Sequence, residues 1–263
     1  PVGSLVSGGV SNLVLGNPST PGTYTVKAVD PATSCTSAML NSVNVSVSSV
    51  PTAYNVTIPG GVSTYCPGTP GVAVALSNST AGYSYVLLGG VVSSTVTSTG
   101  GAFSFPPQLA GTYRVVGYNT IGCPNNMNGS ATITAKQSPA VYAVTATNSG
   151  HYCAGDAGVQ ITIPNSSTGV KYQLQTSGAT NIGSALSGSS AALSFGTHTA
   201  PGNYTVLATN TTTGCTSVMG SGITVTADPL PIAQTVLGTG NYCSNDAGLP
   251  VSLNNTDLNI RYY

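Results

Sequence analysis

The chain repeats itself three times, and that repetition limits its fold more than any other feature does. The stretch PGTYTVKAVDPATSCTSAM at 21–39 returns as AGTYRVVGYNTIGCPNNM at 110–127 and as PGNYTVLATNTTTGCTSVM at 201–219. Tyr24, Tyr113 and Tyr204 are 89 and 91 residues apart, and Cys35, Cys123 and Cys215 are 88 and 92 apart. The only three methionines, Met39, Met127 and Met219, each follow those cysteines by four residues. A second block recurs as YCPGTPGVAVAL (65–76), YCAGDAGVQITI (152–163) and YCSNDAGLPVSL (242–253), with Cys66, Cys153 and Cys243 spaced by 87 and 90. A third places Tyr85, Tyr172 and Tyr262 in register. A fixed period of this length marks an array of structural modules.

Each period breaks into short runs of alternating apolar and polar residues, the pattern of half-buried antiparallel strands. In the middle copy, strands are expected near 140–147, 158–163, 169–175, 191–195, 203–209 and 221–227, with a weak additional one between 176 and 190. β-branched and hydroxyl residues dominate and helical periodicity is absent. Six or seven strands in roughly 90 residues, punctuated by Gly, Pro and Asn, match an immunoglobulin-like sandwich. The expected fold is therefore all-β: tandem immunoglobulin-like β-sandwich repeats of about 90 residues in a linear array. Tyr24, Tyr113 and Tyr204, each two residues after a glycine, fit the tyrosine corner of such sandwiches, in which the hydroxyl turns back onto the upstream backbone. The alternative is that they are aromatics at the edge of the core.

The repeat registers divide the chain into the C-terminal part of a repeat at 1–50, complete repeats at 51–138 and 139–230, and the N-terminal part of a repeat at 231–263. Neither partial repeat buries a sheet face alone. Two explanations compete: a window of three periods from a longer array, which the near-integral period count favours, or a subunit whose tail completes the head of the next copy. Both imply partners that are further copies or adjacent repeats, joined head to tail.

Charge bears on function. With 4% charged residues against about 25% in ordinary domains, the chain lacks the clustered Lys and Arg that nucleic acid requires. It has no apolar run of about 18 residues for membrane insertion, and no leader pattern opens it. Unprotected neutral strand edges leave lateral strand contacts open. Both histidines, His151 and His198, fall in one copy, so a repeated catalytic triad or zinc site is not expected. Asp156 and Asp246 read as turn residues rather than calcium ligands, Thr69 taking that place in the other copy. The expectation is no catalytic residue, no metal and no cofactor.

The combined scheme, Tyr-Cys-x-x-Asp-Ala-Gly, then Gly-Val-x-Tyr-x-Leu, Gly-x-Tyr-x-Val and Thr-Gly-Cys, resembles the Ig-like and PKD-like repeats of very large secreted proteins of Bacteroidota. Those are cell-surface adhesins or filaments, including gliding-type adhesins, commonly exported by the type IX route. The resemblance implies an extracellular, cell-surface location and a structural, non-enzymatic role. A carbohydrate- or ligand-binding module on such an array is the alternative, with Tyr118 and Tyr263 as its candidate exposed aromatics.

One cysteine pair per repeat in an oxidising setting points to disulfides. The simplest arithmetic pairs Cys66 with Cys123 and Cys153 with Cys215. In the standard topology, however, these lie at opposite ends of one sandwich, separated by strands of roughly 17–20 Å, whereas bridged α-carbons lie about 4.4–6.8 Å apart. In a linear string Cys66 meets Cys215 of the following repeat as an inter-domain staple. The same rule sends Cys153 and Cys243 forward, and Cys35 and Cys123 backward, to neighbouring repeats outside the chain. Pairing of Cys35 with Cys66 joins far ends and is disfavoured.

Overall fold

The computed structural model describes residues 3–90, 93–176 and 178–263; Pro1 and Val2, which open the 1–50 partial repeat, lie outside the described residues. Among the described residues, regular structure consists of strands and two single-turn 3-10 segments, Pro59–Gly61 and Thr147–Gly150. There are two compact units: Pro1–Thr64 with Pro70–Thr134, and Tyr65–Thr69 with Ala135–Tyr263.

The second unit contains the more regular sandwich. Thr145–Ala146, Val159–Ile163 and Leu193–His198 form one sheet in that order, with Val159–Ile163 in the middle. The other sheet runs His151–Cys153, Thr216–Asp228, Gly202–Asn210, Val170–Thr176 and Asn181–Ser187. Alternation dictates which side chains go inside, because successive residues of a strand point to opposite faces. Val159, Ile161 and Ile163 from the first sheet meet Val170, Tyr172, Leu174, Tyr204, Val206, Ala208, Met219 and Val225 from the second in one buried cluster. Burying each aliphatic side chain contributes about 1.5–3 kcal/mol, and the tyrosines bring larger areas. Two sheets packed over one core, antiparallel but for the His151–Cys153 edge strand, with a tyrosine at the start of the Gly202–Asn210 strand, make this an immunoglobulin-like sandwich.

The first unit repeats the plan. Phe103–Ser104, Ala75–Leu76 and Val56–Thr57 form its smaller sheet, while Ala131, Gly111–Tyr118, Ser84–Leu88 and Ser94–Thr97 contribute to its larger one. Val74, Leu76, Tyr85, Leu87, Phe105, Tyr113, Val115 and Ile133 are its buried residues at positions matching those above. The molecule is all-β, as the alternating pattern leads one to expect.

Four details of the middle copy depart from the sequence reading. The expected 140–147 strand is only Thr145–Ala146, because Tyr142 directs its backbone N–H to the Met219 sulfur at 3.4 Å rather than to a carbonyl of a ladder. The expected 221–227 strand begins at Thr216 and runs to Asp228, absorbing a register shift opposite Tyr204 to Val206. The weak strand between 176 and 190 is a full one, Asn181–Ser187. A further strand, His151–Cys153, had no sequence signal and runs parallel to Thr226–Asp228.

Among the described residues, the strands of the partial repeats pair only within their own segment. Gly22–Tyr24 pairs with Val43–Val45, and Lys27–Val29 pairs with Thr36–Ala38. Val236–Leu237 pairs with Ser252–Leu253. Many of their apolar residues remain exposed, Leu40, Val43, Leu249 and Val251 among them.

Candidate functional site: the cysteine turns

The cysteines occupy two kinds of turn, and the surrounding polar residues explain both. In the first kind, Asn210 folds its own loop. Its N–H donates to the Cys215 carbonyl (2.9 Å), its carbonyl accepts from Gly214 (2.9 Å), and its Oδ1 accepts from the Thr212 and Thr213 amides at 2.9 and 3.1 Å. A short polar side chain that mimics a backbone carbonyl is what favours Asn and Asp in turns. Asn119 repeats this around Cys123: its N–H donates to the Cys123 carbonyl at 3.1 Å, and its Oδ1 accepts from Ile121 (3.1 Å) and Cys123 (2.8 Å). Asp30 does so around Cys35, donating to the Cys35 carbonyl at 2.9 Å and accepting from Ala32 at 2.9 Å. The Ala32 amide and the Thr33 side chain hold the Asp30 carboxyl below its ordinary titration range.

In the second kind, the residue three beyond the cysteine donates its amide to the cysteine carbonyl. Thr69 does this for Cys66 at 3.1 Å, Asp156 for Cys153 at 3.0 Å and Asp246 for Cys243 at 2.9 Å. Thr69 adds its hydroxyl to the same carbonyl at 2.8 Å, whereas the Asp246 carboxylate accepts from the Cys243 amide at 3.2 Å. Asp246 is thus a turn residue, and the threonine substitution keeps the turn by another bond.

One turn of each kind is joined. Cys66 and Cys215 form a disulfide with α-carbons 5.4 Å apart, and both belong to the second unit. Cys215 is buried. The segment beside the bridge is tied down by its backbone. Lys136 N–H donates to the Tyr65 carbonyl at 2.8 Å, and Thr213 Oγ1 donates to the Gln137 carbonyl at 2.8 Å. Lys136 Nζ reaches the Thr213 carbonyl at 3.3 Å, and Ser217 Oγ donates to the Pro139 carbonyl at 2.9 Å. The bridge links positions from two sequence repeats, so the same-repeat pairings of Cys66 with Cys123 and Cys153 with Cys215 are absent. So is the pairing of Cys35 with Cys66. Cys35, Cys123, Cys153 and Cys243 are free thiols, three of them exposed and Cys123 half-buried.

The Asn119 turn has a counterpart of the same tie. Asn119 Nδ2 donates to Ser48 Oγ (3.1 Å) and to the Ser49 carbonyl (2.9 Å), and Asn125 Nδ2 donates to the Pro51 carbonyl (2.7 Å). Asn125 and Ser217 therefore do equivalent work on Pro51 and Pro139.

The three tyrosines at the start of the long strand each donate to the carbonyl four residues upstream: Tyr24 to Thr20 (2.6 Å), Tyr113 to Leu109 (3.0 Å) and Tyr204 to Ala200 (2.8 Å). That is the geometry of a tyrosine corner. Burial, and then the neighbouring Tyr152, push the Tyr204 phenol above its ordinary value of 10.0.

The histidines take separate roles. His151 Nδ1 lies 3.2 Å from both carboxylate oxygens of Asp228, a partner 77 residues away that sequence spacing does not reveal. His198 Nε2 lies 3.1 Å from the Phe195 carbonyl, with its ring 5.3 Å from that of Tyr204. Among the described residues no three His, Cys or acidic side chains converge to hold a metal, and no helix is long and apolar enough to cross a membrane. Of the candidate aromatics, Tyr118 ends the Gly111–Tyr118 strand half-buried and Tyr263 is exposed. A shallow apolar hollow lies among Tyr24, Val26, Met39, Leu40 and Val43 in the first partial repeat.

No protein-family model matches the chain. No curated protein matches it either. Among solved structures it is similar to the ligand-binding domain of human OSCAR, at 12% identity over 67% of this chain and all of that one, with a TM-score of 0.27. It is also similar to a Ca2+-stabilized adhesin that helps an Antarctic bacterium reach out and bind ice. There the identity is 18% over 82% of this chain and 59% of the adhesin, with a TM-score of 0.34. A third similarity is to the fibronectin(III)-like modules of Clostridium thermocellum CbhA, at 12% identity over 66% of this chain and 94% of that one, with a TM-score of 0.30.

Proposed function

We propose that the chain is a structural, non-catalytic segment of an extracellular filament or adhesin stalk built from head-to-tail immunoglobulin-like repeats. The resemblance of its repeated scheme to the secreted repeat proteins of Bacteroidota supports this reading.

The observation that carries this reading is a strand register written three times. Gly22 faces Val45 and Tyr24 faces Val43; Gly111 faces Ile133 and Tyr113 faces Ala131; Gly202 faces Val225 and Tyr204 faces Ile223. Yet burial follows only where a repeat is complete. Met127 and Met219 are 5% and 0% exposed, whereas Met39 is 44% exposed. The 1–50 segment carries one half of a sandwich and the 231–263 segment the other. By sequence position Ile232 matches Tyr142 and Ser37 matches Ser217, whose bonds to the Met219 sulfur and the Pro139 carbonyl close the complete repeat, so a repeat completed by both segments would regain those contacts.

In such an array, stability is approximately a sum of local and neighbour terms, and length scales with repeat number. Scarcity of Lys and Arg leaves few sites for trypsin-like proteases, and low charge makes the assembly insensitive to salt. Lateral strand contacts between arrays follow from the neutral edges.

Electron microscopy of the native material tests this. The expected result is a fibre with a repeat spacing of roughly 35–45 Å, from strand rise plus loops. Dispersed globular monomers under native conditions overturn it.

A further inference from the structure

We propose that the four free thiols close two disulfides across every junction between successive copies of this chain: Cys153 with Cys35 of the following copy, and Cys243 with Cys123 of the following copy. This rests on the head-to-tail reading, since the completed repeat is what brings those turns together.

The bridge that already exists supplies the rule. It joins the Tyr-Cys turn of one repeat to the Thr-Gly-Cys turn of the repeat after it, Cys66 to Cys215. Applied to Cys153, in the 139–230 repeat, the rule selects the turn cysteine of the repeat that 231–263 shares with 1–50, which is Cys35. Applied to Cys243, in that shared repeat, it selects the turn cysteine of the next 51–138 repeat, which is Cys123. Each cysteine is used once.

The free thiols are held ready in matching backbone frames. Cys153 and Cys243 accept the same amide bond as Cys66, and Cys35 and Cys123 sit in the same self-bonded Asp or Asn loop as Cys215. Cys153 also lies at the exit of its sandwich, paired with Asp228, with the Ala154 amide donating to the Asp228 carbonyl at 2.8 Å. The turn around Cys123 already grips Ser48 and Ser49, the residues that lead out of the preceding repeat.

Forming each bridge removes two electrons and two protons, so an oxidant is needed, and a small-molecule disulfide suffices. The Cys153 thiolate attacks it, expelling one small thiol and leaving a mixed disulfide, and the Cys35 thiolate of the following copy then attacks the Cys153 sulfur, expelling the second small thiol. The net change is two protein thiols and one small disulfide converted to one protein disulfide and two small thiols.

The test uses the full chain assembled with oxidised glutathione and run on a denaturing gel without reductant. A ladder with steps of one 26.0 kDa chain is expected, collapsing to a single band on reduction. Two bridges per junction make a specific variant pattern. Cys153→Ser with Cys35→Ser removes one bridge and leaves the ladder. Cys153→Ser with Cys243→Ser removes both and abolishes it, while fibres persist under the microscope. Loss of the ladder in the first double variant, or its survival in the second, overturns the proposal.

Trypsin cleaves at Lys27, Arg114, Lys136, Lys171 and Arg261, and a second cut at tyrosines separates Cys35 from Cys66 and Cys215 from Cys243. Linked peptides carrying Cys153 with Cys35, and Cys243 with Cys123, are expected from the oxidised ladder. Peptides linking Cys153 to Cys215, or free thiols throughout intact fibres, overturn the pairing and leave the filament reading standing. Absence of fibres in both reduced and oxidised samples removes the filament reading itself.

Discussion

Tyr172 and Tyr262 occupy the same place in the repeat, and their difference separates two levels of folding. Both hydroxyls accept an amide five residues upstream at 2.9 Å, from Ser167 and from Asp257. Tyr172 is fully buried, yet Tyr262 is 41% exposed. The local turn forms without an opposing sheet, because its bond depends only on neighbouring residues. Burial requires strands that lie far away in sequence. The same holds for the 1–50 segment, where the corner and the strand register form while Met39 and Val43 stay exposed.

The largest break in that comparison is expected from truncating the buried tyrosine. Tyr172→Ala should cost about 3–5 kcal/mol in urea unfolding, as for other large aromatic deletions in cores. Tyr262→Ala should leave the unfolding midpoint of the dispersed chain unchanged and instead weaken fibre formation. Equal losses in the dispersed chain would mean that the partial repeat buries its tyrosine without a partner.

Next in size is a glycine pair. Gly158 and Gly248 both adopt positive φ, 85° and 80°, but a Cβ on Gly158 would stand 2.2 Å from the His198 carbonyl oxygen, whereas one on Gly248 meets nothing within 4 Å. Gly158→Ala should therefore cost about 2–4 kcal/mol, combining the left-handed penalty with displaced backbone. Gly248→Ala should show only the local part, about 1–2 kcal/mol, confined to its own turn. Hydrogen exchange at the amides that follow each glycine reads the two costs separately. On assembly the gap between them should close, because the completed repeat supplies the missing neighbour.

Much of this was legible in the sequence, for a physical reason. Residues such as Val159, Ile161 and Ile163 alternate with Gln160 and Thr162, and a period of two with a conserved turn after it leaves few choices of sheet face. The tyrosine corners were visible through the glycine two residues before each. His151–Cys153 was not legible as a strand, because three residues carry no period and their pairing with Thr226–Asp228 is long-range. For the same reason the His151–Asp228 contact was hidden. The shortening of the first strand turns on a methionine sulfur accepting the Tyr142 amide, an interaction without sequence spacing. Cysteine spacing left several pairings open, since spacing alone does not say which ends of a sandwich meet.

The smallest expected effect concerns the corners. Tyr204→Phe removes a hydroxyl that bonds the Ala200 carbonyl at 2.8 Å, and should cost about 0.5–1.5 kcal/mol. Tyr24→Phe removes the equivalent bond in the exposed partial repeat, where water replaces the donor, and should cost less. Alkaline titration sharpens the contrast. The folded state holds the Tyr204 proton more tightly than the unfolded chain does, its phenol lying above the ordinary 10.0. Its contribution is therefore complete below that value and lost as pH rises through the higher folded one. Thermal midpoints measured from pH 8 to 11 should fall more steeply for the unaltered chain than for Tyr204→Phe, so the difference between them should shrink toward the alkaline end. Parallel curves for the two proteins would show that the corner hydroxyl does not stabilise through its proton.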